Sequence, residues 1–402
     1  MPSLSDKATI CPASPIRKLV PFADDAKKRG IKIYHLNIGQ PDINSPIQAL
    51  DAVKNNQLEH IDYSHSAGIL SYRKALAKYY QKHHINVDEE EIIVTNAGSE
   101  ALLFAFFACF NAGDEVIIPE PYYTNYNTFA VYAGVKIVPV KSSIESGFAL
   151  PPIGKFEKLL TPKTKAVMIC NPGNPTGYLY TKEEINALGD LVRKHNLFLI
   201  SDEVYREFCY DGATHASAMH LCNQDPVFNE HIILLDSVSK RYSACGTRVG
   251  CFVTKNKELY NSVIKFAQAR LSPPTYGQIF GEAASEGTPD NYFEEVVAEY
   301  TKRRNIIIEA INKMDGCYCP IPKGAFYVIA HLPVDDSEVF CRWLLEKFNY
   351  EGQSLMLTPA AGFYATEGLG KNEVRISYVL KEEDLRAAMK CLEEALKLFL
   401  DN

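Results

Sequence analysis

Residues 166–202 read AVMICNPGNPTGYLYTKEEINALGDLVRKHNLFLISD, and this stretch decides the fold. Its two apolar runs, Ala166–Cys170 and Phe198–Ser201, are short and have no polar face, which is typical of strands that helices cover on both sides. A helical pattern separates the two runs. A strand, a helix and a second strand in succession predict two parallel strands joined by a crossover.

The same alternation extends from about Asp88 to Lys255. It predicts an α/β fold, in which a large domain is built on a mostly parallel seven-stranded sheet covered by helices. A long amphipathic pattern, Tyr292 to Met314, leads into a smaller α/β domain that ends in a helix at Glu382–Leu400. The predicted strands are Glu91–Thr95, Glu115–Ile118, Lys136–Val140, Ala166–Cys170, Phe198–Ser201, Ile232–Leu235 and Gly250–Val253.

The N-terminal stretch, to about Pro46, is rich in proline and turn signals, and we expect it to cross the surface in extended form. A chain of 402 residues is longer than a single domain with one hydrophobic core usually is. We therefore predict three parts: residues 1–46 as a segment that packs with the small domain, residues 47–300 as the large domain, and residues 301–402 as the small C-terminal domain.

Composition excludes several classes of function. The net charge is −7 with no basic run, which argues against nucleic acid as a partner. The 11 cysteines are mostly single and form no CxxC pair, so we expect free thiols rather than disulfides, and no metal site. The sequence contains no stretch of about 18 apolar residues that could span a membrane, and its N-terminus lacks the apolar core of a signal peptide. We expect a soluble protein of the reducing cytoplasm.

The most informative segment for chemistry follows the predicted strand Ile232–Leu235 and reads SVSKRYSACGTRVG from Ser237 to Gly250. A lysine at a strand end, here Lys240, can form a Schiff base with an aldehyde once burial and neighbouring cations lower its pKa. Arg248 offers a bidentate fork for phosphate oxygens. The alternative interpretation is a solvated basic turn.

A second segment, Val94–Leu102, is a strand that runs into an apolar helix. Small residues at the helix start leave backbone N–H groups free for a phosphate, which the helix dipole also favours. The alternative is an ordinary helix capped by Asn96 or Ser99.

Two further strand ends carry polar side chains. The turn Asn171–Gly177 is fixed by proline and glycine and presents an amide toward a crevice. After Phe198–Ser201 the chain reaches Asp202, which at that depth needs a cationic partner such as a protonated ring nitrogen. A structural ion pair with an arginine is the alternative. Because ligands of open α/β sheets bind at the carboxyl ends of strands, we expect all four segments to meet one ligand.

These segments, in this order and spacing, resemble those of the class I/II aminotransferases of fold type I, the aspartate-aminotransferase-like enzymes that depend on pyridoxal 5'-phosphate (PLP). The lysine segment matches throughout, including the step from Lys240 to Arg248. The similarity extends from the turn at Gly39–Asp42 to Val374–Ser377, nearly the whole chain.

The resemblance implies PLP as the cofactor and assigns roles by position. Lys240 would hold the cofactor and then shuttle a proton, and Asp202 would pair with the pyridinium nitrogen. Tyr205, with Asn174, would hydrogen-bond the ring's 3-oxygen. By the same resemblance the other cofactor-binding residues are Gly98, Ser99, Tyr123, Asn174, Ser237, Ser239, Arg248 and Tyr63, and the substrate-binding residues are Gly39, Asn174, Arg375 and Arg270.

Three of these positions have a structural alternative. Tyr63 resembles a phosphate-binding tyrosine that the second subunit donates, which predicts a homodimer with shared sites. Tyr63 could instead be an aromatic residue that only packs in the fold. The same alternative applies to Tyr123, which is predicted to stack on the face of the PLP ring. Arg375 resembles the arginine that binds the substrate α-carboxylate, but it could pair with Glu373 or Glu382.

The substrate is the open question. Some bacterial aspartate aminotransferases of this family have a lysine for the substrate side chain where this chain has Ser99. Arg270 lies near the place where a related subgroup supplies a second-subunit arginine for the distal carboxylate; the alternative is a surface arginine at the end of a helix Glu258–Ala269. We expect an aspartate-type transaminase that uses a 2-oxo acid such as 2-oxoglutarate.

Other functions remain open on the same scaffold. A lyase, a decarboxylase, or a transaminase for alanine or aromatic amino acids would share these motifs, because the chemistry of PLP branches at one carbanion. A PLP-sensing regulatory protein would need an appended DNA-binding domain, for which the chain begins too close to its proline-rich segment.

Overall fold

The computed structural model describes residues 2–401 and has the predicted α/β fold. All seven predicted strands of the large sheet form, and several extend one or two residues further. The strands are β1 Lys32–His35, β2 Ile92–Thr95, β3 Glu115–Glu120, β4 Lys136–Lys141, β5 Thr164–Cys170, β6 Phe198–Asp202, β7 Ile232–Ser237, β8 Gly250–Val253, β9 Tyr327–His331, β10 Gln353–Met356, β11 Thr358–Pro359 and β12 Glu373–Ser377.

The described residues also form 15 α-helices. They are α1 Asp6–Ile10, α2 Val20–Lys28, α3 Ile47–Lys54, α4 Leu70–Lys82, α5 Ala97–Cys109, α6 Asn125–Ala133, α7 Ile153–Glu157, α8 Lys182–His195, α9 His220–Gln224, α10 Val238–Arg241, α11 Lys257–Arg270, α12 Thr275–Gly287, α13 Asn291–Ile311, α14 Ser337–Glu346 and α15 Glu382–Leu400. Among residues 2–401, every helix is too short or too polar to span a bilayer.

The large sheet has the strand order β2-β8-β7-β6-β5-β3-β4. Only β8 runs against its neighbours, β2 and β7. The other pairs are parallel, so β2, β5, β6 and β7 all end at the same edge of the sheet. This edge brings together the segments that the sequence singled out.

Burial on both faces explains the apolar runs. In β5, Val167 and Ile169 pack into one core while Ala166 and Met168 pack into a second core on the opposite face. The helix α8 covers the first of these faces with its apolar side. The interpretation of Ala166–Cys170 as a strand covered by helices on both sides is therefore confirmed.

A third core lies beside the large sheet. It joins α13, α14 and α15 to the three-stranded antiparallel sheet β11-β12-β9. The N-terminal elements α2 and β1 contribute Ala23 and Ile33 to it, Leu19 directly before α2 also belongs to it, and β1 pairs with β10. The division of the chain at residues 46 and 300 stays a prediction, and α13 runs across the second of these positions.

The prediction that the first 46 residues cross the surface in extended form is wrong for much of that stretch. Residues Val20–Lys28 form a helix with Pro21 in its first turn, where its missing N–H costs nothing. Leu19, Ala23 and Ala26 recur at helical spacing and are buried. The proline content hid this short amphipathic pattern.

Candidate active site

A cavity of about 540 Å³ lies at the carboxyl edge of the large sheet, and the four segments singled out in the sequence all line it. Predicted site residues that line it are Gly39, Gly98, Ser99, Tyr123, Asn174, Asp202, Tyr205, Ser237, Ser239, Lys240, Arg248 and Arg375. Tyr63 and Arg270 do not line the cavity of their own chain. This convergence agrees with the rule that ligands bind where strands of an open α/β sheet end.

Lys240 is positioned by the short helix α10, which begins directly after β7. Its Nζ donates to the carbonyl oxygen of Gly39 at 2.8 Å and lies 3.6 Å from the sulfur of Cys245. The neighbouring Arg241 turns away and pairs with buried Glu207 and Asp236. The amine of Lys240 therefore faces the cavity, whereas in a solvated basic turn it would face bulk solvent.

Ser237, Ser239 and Arg248 line the same cavity as the lysine. The Ser237 hydroxyl is 2.8 Å from that of Ser239 and accepts the Ser239 N–H. Arg248 is exposed at the cavity, and its guanidinium donates one hydrogen bond, to the Cys245 carbonyl at 3.1 Å. Most of the donors of this guanidinium face solvent or the cavity and are free to bind an anion.

The start of α5 completes this side. Among the described residues, the side chain of Asn96 makes no cap hydrogen bond, and Glu100 accepts only the N–H of Asn96 itself, so the capped-helix alternative does not hold. A Cβ on Gly98 would meet no atom closer than 3.6 Å, which shows open space against that backbone. Uncapped N–H groups and the helix dipole make this end suited to an anion.

Asp202 is a buried lining residue of the cavity with one oxygen unpaired. Its Oδ2 accepts from the Tyr126 hydroxyl at 2.7 Å, whereas Oδ1 is buried and no group among residues 2–401 donates to it. Burial raises the pKa of Asp202 to about 6 despite the lowering effect of the Tyr126 hydrogen bond. A cationic donor at Oδ1 would restore the charged form.

The structural ion pair in this segment is made by the next residue. Glu203 is fully buried and accepts from Arg206 at 3.0 Å, from Ser217 and from Ser201. The ion-pair alternative therefore describes Glu203, and the carboxylate of Asp202 remains directed to the cavity.

Arg375 is a buried cation without a carboxylate partner. Its guanidinium donates to the side-chain oxygen of Asn174 at 3.0 Å and to the carbonyl oxygen of Asn37 at 2.5 Å. The Nε atom has no partner among residues 2–401. Glu373 instead accepts from the Tyr364 hydroxyl, and Glu382 pairs with Arg386, so neither predicted alternative pairing forms.

Tyrosine side chains shape the rest of the cavity. The Tyr205 hydroxyl lies 3.0 Å from that of Tyr327 and 3.5 Å from the amide nitrogen of Asn174. Tyr123 lines the cavity, and its hydroxyl accepts from Asn125 at 2.9 Å. Gly39 leaves room for Tyr327, because a Cβ there would collide with the phenol.

Two predicted residues lie elsewhere in the chain. Tyr63 is 78% exposed on an irregular segment between α3 and α4. Arg270 ends α11 and donates to the carbonyls of Ser66 and Val94, with Glu100 at 3.6 Å. The roles of Tyr63 at the phosphate and of Arg270 at the distal carboxylate both require a second subunit, and they stay predictions.

Several residues in or beside the cavity were not predicted from the sequence. Tyr327 lines the cavity and contacts Tyr205, whereas Tyr126 does not line it but donates to Asp202. Arg17, from the N-terminal segment, also lines the cavity. The Tyr123–Tyr126 spacing at the start of α6 was a usable signal for Tyr126, but the other two come from distant parts of the chain.

Comparison with known proteins agrees with this geometry. The profile described as "Aminotransferase class I and II" matches residues 31–392. The aspartate aminotransferase of Bacillus subtilis is 30% identical over 388 residues, 94% of each chain. Aromatic-amino-acid aminotransferase 2 of Thermococcus litoralis is 32% identical over 408 residues, 98% of each chain. A solved mutant of Thermus thermophilus aspartate aminotransferase has a TM-score of 0.89 at 29% identity, covering 98% of this chain and 100% of that one.

The fold and the strand-end cavity define an α/β transaminase of PLP fold type I. The chain belongs to the class I and II aminotransferase family. Members of this family depend on PLP, and the predicted transaminase activity and fold class are confirmed.

Proposed function

We propose that the chain transfers the amino group of L-aspartate to 2-oxoglutarate and binds PLP in the strand-end cavity. One observation carries this proposal: the amine of Lys240 and the guanidinium of Arg375, which has no carboxylate partner among residues 2–401, face the same cavity. An amine and a carboxylate-binding cation are what an amino-acid substrate and a carbonyl cofactor require. Aspartate is favoured because the relatives from Bacillus subtilis and Thermus thermophilus are named for it.

The cavity residues fit PLP. The orphan Oδ1 of Asp202 would accept from the protonated ring nitrogen, which would hold the carboxylate in its charged form. At the other end the open backbone at Gly98, the Ser99 segment and Arg248 would bind the phosphate. Ser237 and Ser239 would add hydroxyls beside Arg248, and Tyr123 would pack on the ring.

Catalysis would be shared between four side chains. PLP, when bound, withdraws electrons from the substrate α-carbon. The Lys240 amine would hold the cofactor aldehyde until substrate displaces it and would then move a proton at the α-carbon. Asn174 and Tyr205, 3.5 Å apart, would donate to the ring 3-oxygen, and Asp202 would keep the ring nitrogen protonated.

Substrate would be oriented by its α-carboxylate. Arg375 is held by Asn174 and by the Asn37 carbonyl, so its fork is fixed before substrate arrives. Its guanidinium also lies 4.6 Å from the centre of the Tyr327 ring, which restricts the side chain further. Gly39 would offer its backbone N–H to the same carboxylate. A rigid bidentate cation selects a carboxylate and sets the direction of the α-carbon.

A homodimer with shared sites is part of the proposal. Tyr63 is exposed and would reach the phosphate of a second subunit. Its segment is tied to α12 by a hydrogen bond from Gln278 to Ser64 at 3.2 Å. Exposed apolar side chains surround these elements and would be buried in such an interface; they are Ile47, Leu50, Leu58, Ile61, Leu70, Leu271 and Tyr276. The free thiols of all 11 cysteines support a reducing, cytoplasmic location.

Hybrid dimers test the shared site. Lys240→Ala subunits mixed with Tyr63→Phe subunits should form hybrids in which one site has both wild-type residues. At limiting PLP the mixture should therefore exceed the summed activities of the two unmixed variants. If the activity of the mixture only equals the summed activities of the two unmixed variants, Tyr63 serves no second subunit. An active monomer by light scattering would show the same.

The resemblance suggested Arg270 of a second subunit as the contact to the distal carboxylate of the substrate. Burial lowers the pKa of its guanidinium while Glu100 raises it. Its Nε and Nη1 atoms have no hydrogen-bond partner among residues 2–401. Its local contacts already give it a structural role, joining α11 to the ends of β2 and of the Tyr63 segment.

An aromatic amino acid is the second candidate substrate. Phe129 and Tyr132 line the cavity, and one of the relatives is named for aromatic amino acids. Aromatic side chains could accommodate a substrate ring by stacking.

The half-reaction without an acceptor tests the proposed substrate. PLP-loaded protein mixed with aspartate should release one 2-oxo acid per subunit and stop until 2-oxoglutarate is added. Aspartate should react at least about tenfold faster than alanine or phenylalanine, since the side-chain carboxylate adds a charge-assisted contact. Continued release without an acceptor, or release of carbon dioxide, would indicate a lyase or a decarboxylase. A faster reaction with phenylalanine would favour the aromatic candidate.

A further inference from the structure

The cavity holds more positive charge than the proposed chemistry uses. Four cationic side chains line it, Arg17, Lys240, Arg248 and Arg375, whereas Asp202 is the one acidic side chain among residues 2–401 that does so. Lys240, Arg248 and Arg375 are matched by the cofactor aldehyde, the phosphate and the α-carboxylate. Arg17 has no counterpart in that set.

Arg17 also has no partner within the protein. Among residues 2–401 its guanidinium makes no hydrogen bond and no ion pair. Its neighbour Lys18 pairs with Glu338, and Arg29 further along the chain donates to the Leu345 carbonyl at 2.6 Å. The unpaired cation of the N-terminal segment is thus the one that lines the cavity.

The charge of Arg17 reaches the interior of the cavity. Burial raises the pKa of Tyr123 to about 12, and both Arg375 and Arg17 oppose this rise. Tyr123 lines the cavity, so the guanidinium of Arg17 lies within electrostatic range of its contents. Arg17 itself is exposed, which places it on the solvent side.

The backbone that carries Arg17 is fixed relative to Arg375. The side-chain amide of Asn37 donates to the Ile16 carbonyl at 3.1 Å, while the Asn37 carbonyl accepts from Arg375. Pro15 packs so closely on Gly362 that a Cβ there would collide with it. One residue therefore anchors both the α-carboxylate-binding arginine and the segment of Arg17.

We infer that Arg17 binds the distal carboxylate of a dicarboxylic substrate, as the specificity-determining residue within its own subunit. This inference rests on the proposed function, since Arg375 and Lys240 must bind the α-carboxylate and the cofactor. The substrate would then span two arginines that Asn37 holds in place, Arg375 at its guanidinium and Arg17 through the preceding carbonyl of Ile16. Its side-chain charge would neutralise the unpaired cation of Arg17. Arg17 takes the part that the sequence assigned to Arg270.

Equilibrium binding to the PLP-loaded enzyme tests the role of Arg17. Succinate carries two carboxylates, whereas butanoate has a similar length and carries one. Wild type should bind succinate more tightly than butanoate, and Arg17→Ala should reduce this selectivity roughly 10- to 100-fold, the value of a charge-assisted hydrogen bond. Arg17→Lys should retain part of it. Isothermal titration calorimetry measures both ligands, and kcat/KM for aspartate against alanine should change in parallel.

Lys18→Ala is the matched control, because Lys18 is the adjacent cation and pairs outside the cavity. It should keep the wild-type selectivity. If Arg17→Ala keeps it too while aspartate remains the preferred substrate, the inference fails and the proposed function stands. If Arg270→Ala alone abolishes it, Arg270 is the residue that binds the distal carboxylate. If wild type prefers neither succinate nor aspartate, both the inference and the proposed substrate fail.

Discussion

Lys240→Ala abolishes transamination, with an expected fall in kcat of at least about 10⁴-fold. The reason is positional: Lys240 is the one lysine that lines the cavity among residues 2–401, and its amine is held at 2.8 Å from the Gly39 carbonyl. Without it, the chain has no amine there to hold the aldehyde or to move the α-proton. Single-turnover kinetics with aspartate measures the loss.

Two control variants separate the loss of the covalent link from the loss of a positive charge and from a general effect of removing a lysine. Lys240→Arg keeps a cation but cannot form the covalent link, so it should be as inactive as Lys240→Ala. Lys257→Ala removes an exposed lysine at the start of α11 and should leave turnover unchanged. Near-normal turnover by Lys240→Ala would refute the assignment.

Asp202→Asn should lower kcat by roughly 100- to 1,000-fold, the scale of losing one preorganised electrostatic contact. The substitution keeps the shape of the side chain and the contact with Tyr126, but it removes the charge that would hold the ring nitrogen protonated. The cofactor should remain bound, because in the proposed site Arg248 and the start of α5 would hold its phosphate. Stopped-flow rates together with equilibrium PLP binding measure the two effects.

Tyr126→Phe is the companion variant for Asp202. It removes the hydrogen bond to Oδ2 without removing the carboxylate, so a smaller loss of rate is expected. A structural role for Asp202 predicts a different result: a lower melting temperature in Asp202→Asn with kcat near the wild-type value. That outcome would assign Asp202 to the fold rather than to the chemistry.

The large sheet and most of the cavity were predictable because their signals are local. The apolar runs of β5 and β7 are each buried on both faces. A strand of that kind can be predicted from its own residues, without knowing which strands lie beside it. Polar residues directly after such runs must meet at one edge when the strands are parallel. Asp202 and Lys240 could therefore be placed in one site from the sequence.

The remaining residues depend on tertiary contacts that no local pattern records. Tyr327 meets Tyr205 from 122 positions away, and Asn37 meets Arg375 from 338 positions away. Arg17 is one of several cations in a proline-rich segment, and nothing in its sequence neighbours indicates that it lines the cavity. The same proline content hid α2, whose burial depends on packing against the C-terminal elements.

Peptide mapping after borohydride reduction tests most directly whether these strand ends form a PLP site anchored by Lys240. Borohydride converts the link between a lysine amine and the cofactor into a stable bond, and mass spectrometry then identifies the modified peptide. We predict one PLP group per subunit, on the peptide that contains Lys240. A label on another lysine, or no label on PLP-loaded wild-type protein, would contradict the account.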